Sequence, residues 1–173
     1  QRQMCIRDSE NTRQLLENDK VFMIFHSTGT AQTAAILPLI KEQRTLLFGP
    51  VTGASVFREA FNPHVFHVRA GYANEASKIV SQLRQQGITR VAVFFQDDGL
   101  GKTLAGELKK ASEEEKLPFL AEIKVDPKQP DFAAAAQATE KVQPQAVIVA
   151  TGGTTFTSYI KAVQATAARP AYY

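Results

Sequence analysis

Short apolar runs alternate along the chain with amphipathic stretches of helical period. The clearest run is Val91-Ala92-Val93-Phe94-Phe95, β-branched and aromatic. It is too short for a buried helix and has the composition of a strand covered on both faces. It ends in Gln96-Asp97-Asp98-Gly99, then Leu100-Gly101. A helical pattern follows from about Lys102 to Glu115, with Leu104, Leu108 and Ala111 on its inner side. Polar loop residues at the carboxyl end of such a strand are where open α/β sheets bind ligands.

Upstream, Asn11 to Asn18 reads as the end of a helix and Val21 to Phe25 as a short strand. A polar loop, His26-Ser27-Thr28-Gly29-Thr30, leads to a predicted helix from Ala31 to Glu42, kinked or bent near Pro38. Thr45 to Phe48 is a second predicted strand, ending in Gly49-Pro50-Val51-Thr52-Gly53-Ala54. A short helix or turn is expected around Ser55 to Ala60, a turn at Asn62-Pro63-His64, and a third strand over Val65 to Arg69. Ala73 to Gln86 is amphipathic, with Ala76, Ile79, Val80 and Leu83 on one stripe and Gly87 as its stop. Further on, the pattern predicts strands over Phe119 to Val125 and Ala146 to Ala150. Helices are predicted over Phe132 to Val142 and from about Phe156 to Thr166. The closing Ala171-Tyr172-Tyr173 reads as the start of another strand.

Strand followed by helix throughout argues for α/β with parallel sheets and right-handed crossovers. Three strand ends share one chemistry: small, hydroxyl-rich, Gly-containing loops feeding helix N-termini. They lie at Ser27 to Thr30, Thr52 to Ser55 and Gly152 to Thr155. Such ends offer free N–H groups and a positive dipole end, suited to a carboxylate.

Composition narrows the classes. The 173 residues suffice for one domain or two small lobes. Residues that are 44% apolar and 21% charged describe an ordinary globular chain. The net charge of +3 is scattered, without a basic run interleaved with aromatics, so nothing supports nucleic-acid binding. No apolar stretch approaches the roughly 18 residues of a membrane-spanning helix. Gln1 to Ser9, QRQMCIRDS, shows no amphipathic pattern and reads as a non-native leader, residues 1–9, set outside the fold. Cys5, the single cysteine, lies inside it, which leaves no disulfide, thiolate metal site or Cys nucleophile. The other end also reads as truncated, so an internal fragment of a longer protein is expected.

Candidate chemistry is sparse. Gly101-Lys102-Thr103 supplies the second half of a phosphate loop, but Gln96 stands where the first Gly belongs. Asp97 and Asp98 oppose phosphate in that loop, since a phosphate cradle works by converging N–H dipoles and a Lys charge. They read as solvating or capping residues rather than as a metal or acid–base pair, for no His lies near them in sequence. His26, His64 and His67 lack metal-ligand spacing. Glu113-Glu114-Glu115 is a solvated helix face. No cofactor and no enzymatic activity are expected.

Taken in order, the STGT loop, GPVTGA, VFHVRAGYANEA, FFQDDGLGK and VIVATGG resemble the type I periplasmic binding proteins of ABC importers. The likeness is to their leucine/isoleucine/valine-binding, branched-chain amino acid branch. It extends from about Asp19 to the last residue, and the ordered set rather than any one motif carries it. The resemblance implies a two-lobe α/β fold with parallel sheets flanked by helices, incomplete at both ends. Residues 10–72 would form a partial first lobe and 73–173 a partial second lobe. It implies an extracytoplasmic or periplasmic receptor, lipid-anchored in a Gram-positive source, that passes an amino acid or related carboxylate to a membrane permease. The ligand would lie between the lobes, in a groove shared by the strand ends at Ser27, Thr52, Asp97 and Gly152.

By the same resemblance, the first lobe would hold the ligand's carboxylate and ammonium through Thr30, with Ser27 and Thr28 nearby, and through Val51, Thr52 and Gly53. Two aromatic positions of the branch are replaced here, by Leu100 and Thr154. These departures favour a ligand bulkier or more polar than leucine, such as an aromatic acid, an amide or a polar amino acid. Ser27, Thr28 and Thr30 have a plainer reading as helix caps, compatible with ligand contact. Tyr72 is either a hinge packing residue or a cleft wall. Two other functions stay open. One is an intracellular ligand-sensing regulator on the same two-lobe fold, which requires a DNA-binding or partner segment. The other is a flavodoxin-like or nucleotide-dependent enzyme, disfavoured by the missing phosphate-loop Gly.

Overall fold

The strands form two separate, wholly parallel sheets in the computed structural model, which describes residues 2–58 and 60–173. The chain divides into two compact units, residues 1–72 and 73–173. In the first, α1 (Arg2–Arg13) runs into a π-helical turn (Gln14–Asn18) and then β1 (Met23–Phe25). After these come α2 (Thr30–Glu42), β2 (Leu46–Phe48), a 3-10 turn (Ser55–Phe57) and β3 (Val65–Phe66), in sheet order β1-β2-β3.

Successive strand side chains point to opposite faces. Ile24, Leu47 and Val65 turn inward onto Leu16, Ile36, Leu39 and Ile40. Phe25, Phe48 and Phe66, paired with one another in register, stay 64%, 40% and 48% exposed.

The second unit opens on α3 (Tyr72–Gln85), which starts at the boundary residue. Then come β4 (Val91–Gln96), α4 (Gly99–Glu114), β5 (Ala121–Val125) and α5 (Phe132–Val142). β6 (Ala146–Ala150), α6 (Gly153–Gln164) and β7 (Ala171–Tyr172) complete it, in sheet order β5-β4-β6-β7. Here both faces are covered. Val91, Val93 and Phe95 pack with Val80 and Leu83 of α3 and Leu108 of α4. Ala92 and Phe94 pack with Ala135 and Ala136 of α5 and Tyr159 and Val163 of α6. The Phe94 and Tyr159 rings stack 3.6 Å apart and nearly parallel, at 6°. Burial pushes the Tyr159 phenol up to about 12, although its hydroxyl shares a 2.7 Å hydrogen bond with Thr139.

Most elements stand within two residues of where the pattern predicts; α6 starts earlier, at Gly153 rather than about Phe156, and three others differ for stated reasons. The stretch Gln1 to Ser9 was expected to lack helical structure, yet α1 takes in residues 2–9. It contains neither Gly nor Pro, so the helix predicted over Asn11 to Asn18 propagates backwards, and Ser9 Oγ lies 3.4 Å from the Ala35 carbonyl of α2. β3 stops at Phe66 rather than Arg69. Beyond it, His67 Nε2 meets the Phe57 carbonyl at 3.1 Å and Arg58 takes the Arg69 carbonyl at 2.8 Å, which draws the chain off the sheet. α4 begins at Gly99 because Asp98 caps it, accepting from the Gly101 N–H. Pro38 sits inside α2, which continues through it.

Candidate functional site

The loops after β1 and β2 remain joined beyond the last strand residues. Thr28 and Val51 form a parallel bridge, in which Val51 N–H donates to Ser27 O at 2.7 Å and Gly29 N–H to Val51 O at 3.2 Å. This zipper sets Thr30 beside Thr52, with their hydroxyl oxygens 2.9 Å apart. Thr52 is fully buried and also accepts the Ala54 N–H. Ser27 pairs in the same way with the buried Thr33, one turn into α2, at 3.1 Å. None of these hydroxyls caps α2: its N-cap is Gly29, without a side-chain cap bond. The capping role open to Ser27, Thr28 and Thr30 is therefore not the one they take. Thr28 reaches back to the His26 carbonyl at 3.5 Å.

Gly53 is in close approach. A Cβ there would lie 2.5 Å from Cδ1 of the Tyr72 ring, so no larger residue fits without moving the tyrosine. Tyr72 is buried and donates its N–H to Gly53 O at 2.7 Å, with the Arg69 guanidinium 5.2 Å over its ring. Arg58 closes the same corner by donating to the Thr52 and Arg69 carbonyls at 3.2 and 2.8 Å. Ser27, Thr28, Thr30, Val51, Thr52, Gly53 and Tyr72 thus form one connected cluster in the first unit.

Leu100 and Thr154 belong to the second unit, on the first turns of α4 and α6. Leu100 is half-buried and Thr154 exposed. The hydroxyl that bonds to the sheet end is that of the next residue, Thr155, which donates to Gln96 Oε1 at 2.7 Å. α6 has Gly152 as N-cap and no side-chain cap bond, whereas α4 and α5 are capped by Asp98 and Asp131. Of these four helix starts, α2 and α6 keep their first amides uncapped by side chains, and α4 and α5 do not.

Asp97 has no catalytic surroundings. Lys102, hydrogen-bonded at 2.9 Å, holds its carboxyl below the usual range, and Lys124 at 3.7 Å adds to that. The would-be phosphate-loop lysine is thus engaged with a carboxylate, and Thr103 donates to the Gly99 carbonyl. Among the described residues no cluster of His, Cys, Asp and Glu could hold a metal ion. No helix among them is long and apolar enough to cross a membrane. Sequence reasoning missed Thr33 and Arg58, and it placed Thr155 in a hydroxyl-rich loop without its partner Gln96. For Thr33 the signal was present, a hydroxyl one helical turn beyond a hydroxyl-rich loop. Arg58 reaches carbonyls 6 to 12 residues away, and Thr155 reaches Gln96 across 59.

A sequence profile described as periplasmic binding protein matches residues 7–170. No curated protein matches the chain. Among solved structures, a substrate-binding periplasmic protein from Ralstonia solanacearum is 23% identical, with a TM-score of 0.85 over 97% of this chain and 48% of its own. A possible leucine/isoleucine/valine-binding protein from Rhodopirellula baltica SH 1 is also 23% identical, with a TM-score of 0.81 over 97% of this chain and 47% of its own. A solute-binding protein of an ABC transporter from Rhodopseudomonas palustris BisB5, in complex with 3,4-dihydroxybenzoic acid, is 20% identical, with a TM-score of 0.78 over 93% and 44%. The chain spans about half the length of these structures, and at such identities the likeness is one of fold: two α/β lobes with parallel sheets flanked by helices. With the profile covering nearly all of it, the chain belongs to the periplasmic binding protein family.

Proposed function

We propose that the intact protein is the extracytoplasmic solute-binding receptor of an ABC importer, carrying a small organic carboxylate to a membrane permease without transforming it. The observation that carries this reading is the Thr30–Thr52 hydroxyl pair beside the uncapped start of α2. A carboxylate accepts hydrogen bonds from hydroxyls and from helix-terminal amides, and the dipole of α2 favours its charge. Ser27, Thr28, Thr30, Thr52 and the backbone at Val51 and Gly53 make up the constant half of the site, with Tyr72 packed behind them. Leu100 and Thr154 belong to the variable half.

The variable half favours something other than leucine. Aromatic walls bury a leucine-sized group well because they are large, rigid and apolar. Leu100 and Thr154 offer less ring area and one more hydroxyl. An aromatic acid suits this balance, and one of the similar structures, that from Rhodopseudomonas palustris BisB5, holds 3,4-dihydroxybenzoic acid.

Calorimetry of the intact protein against leucine, glutamine and 3,4-dihydroxybenzoate tests the proposal. The aromatic acid should bind most tightly. Thr30→Val should weaken it about tenfold or more, the loss expected for a hydrogen bond to a charged group. Leucine binding as tightly as the aromatic acid sinks the ligand choice. Failure of every carboxylate to bind sinks the receptor reading.

A further inference from the structure

β4 and β6 are neighbours, with Phe95 and Ala150 paired in register, and each feeds directly into a helix. One side chain ties the two helix starts together. Gln96 Oε1 accepts from Thr155 Oγ1 at 2.7 Å, and Gln96 Nε2 donates to Asp98 Oδ2 at 2.8 Å. The other Asp98 oxygen, Oδ1, accepts the Gly101 N–H at 2.9 Å. Gln96 also holds Asp98 through its backbone, accepting the Asp98 N–H at 2.8 Å. A Cβ on Gly101 would collide with the Gln96 carbonyl, so the first turn of α4 lies directly against this residue. The relay thus runs from α6 through a carboxamide and a carboxylate into α4.

The chemistry of the relay requires a carboxamide. Asp98, as a carboxylate, only accepts, so its neighbour must donate. The Thr155 hydroxyl donates, so the same neighbour must also accept. Glutamine does both at once. Glutamate at neutral pH offers two acceptors and sets one carboxylate against another.

We propose that Gln96 is a positioning residue that fixes the separation of the α4 and α6 starts. With it, Gln96 fixes the spacing of Leu100 and Thr154, and so the size of ligand group admitted there. The sizing role rests on the receptor reading above, whereas the tie itself does not.

Hydrogen exchange on the whole chain tests the tie, comparing wild type, Gln96→Leu and Gln96→Glu at about pH 7.5 and about pH 5, each scaled to wild type at the same pH. Gln96→Leu should raise exchange at Gly101 and across residues 156–159, the first amides bonded within α6, about tenfold at both pH values, leaving Phe94 and Val147 within the strands unchanged. Gln96→Glu should behave like Gln96→Leu at the higher pH and return toward wild type at the lower. Asp98 raises the pKa of the new carboxyl, and once protonated it has the donor and the acceptor that the carboxamide had. A merely space-filling role at this position predicts no such pH rescue. Unchanged protection in Gln96→Leu, or a Gln96→Glu variant insensitive to pH, overturns the tie.

Calorimetry with leucine and 3,4-dihydroxybenzoate then tests the sizing role on the intact protein. The ratio of their affinities should narrow in Gln96→Leu and recover in Gln96→Glu at low pH. An unaltered ratio overturns the sizing role. If wild type binds neither probe, the receptor reading and the sizing role fail together, and the exchange result still decides the tie.

Discussion

The two sheets are built from equally apolar strands and end up in different surroundings. In the second unit, β4 is buried along Val91 to Phe95, with helices over both faces. In the first, β1, β2 and β3 read Met-Ile-Phe, Leu-Leu-Phe and Val-Phe, yet only Ile24, Leu47 and Val65 reach the core. The phenylalanines of all three strands line up on a face that stays largely exposed among the described residues, and Phe25 and Phe48 stack on each other there, 6.1 Å apart. Gly49 brings Val68 against the same patch, 3.9 Å from its Cβ position, as is the Phe25 ring. An all-apolar strand therefore states a capacity for two covers and does not say that both are present. The difference predicts that stability concentrates in the second unit and adhesiveness in the first.

The sharpest way to break this comparison is a matched pair of truncations. Phe94→Ala removes a fully buried ring stacked on Tyr159 and should cost about 3–5 kcal/mol. Phe48→Ala removes a ring already 40% exposed and should cost under about 1 kcal/mol. Urea unfolding of both variants decides it, and equal losses would abolish the distinction. Next in size is Gly101→Ala, which forces a methyl onto the Gln96 carbonyl and should destabilise by about 1–3 kcal/mol. Loss of exchange protection should spread from the start of α4 rather than from the first unit.

One ring in each unit titrates with a shift of opposite sign. Folding keeps the Tyr159 phenol neutral, with its pKa raised from 10.0 to about 12. That contribution is complete below pH 10.0 and is lost as pH rises toward about 12. Alkaline urea curves should show the second unit weakening over this window, and Tyr159→Phe should reduce the dependence to what Tyr172 contributes, whose phenol burial also pushes up. In the first unit, burial lowers the His67 pKa below 6.5, so its contribution is present above 6.5 and is lost as pH falls. Phe25→Ser, Phe48→Ser and Phe66→Ser combined should still destabilise less than Phe94→Ala alone, while self-association on size-exclusion chromatography should fall. Undiminished self-association would show that the aromatic face is not its cause.

Local signals made much of the fold legible. α5 lies where predicted, Phe132 to Val142, because Asp131 caps its start and Gln143 turns left-handed at its end. β6 likewise matches, an unbroken run of five apolar residues. What stayed hidden was set by distant partners. The end of β3 depends on Arg58 and His67 bonding across 10–11 residues. Thr30 and Thr52 were each legible as hydroxyls at strand ends, but their meeting across 22 residues depends on the loop zipper. Gln96 looked only like a residue that spoiled a phosphate loop. Its partner stands 59 residues away, beyond the reach of any local pattern. The bare aromatic face was invisible for a related reason, since coverage is supplied from elsewhere in a chain.

The Thr28–Val51 bridge has a kinetic consequence. Ordering a residue's backbone costs about 1–2 kcal/mol. Because the two loops are already laced together in the free chain, that loss accompanies folding and does not recur when a solute arrives. Capture at Thr30 would then wait on diffusion and on the shedding of water, with no slow loop-ordering step. On the proposed receptor reading, residence time rather than the rate of arrival would then tell one solute from another.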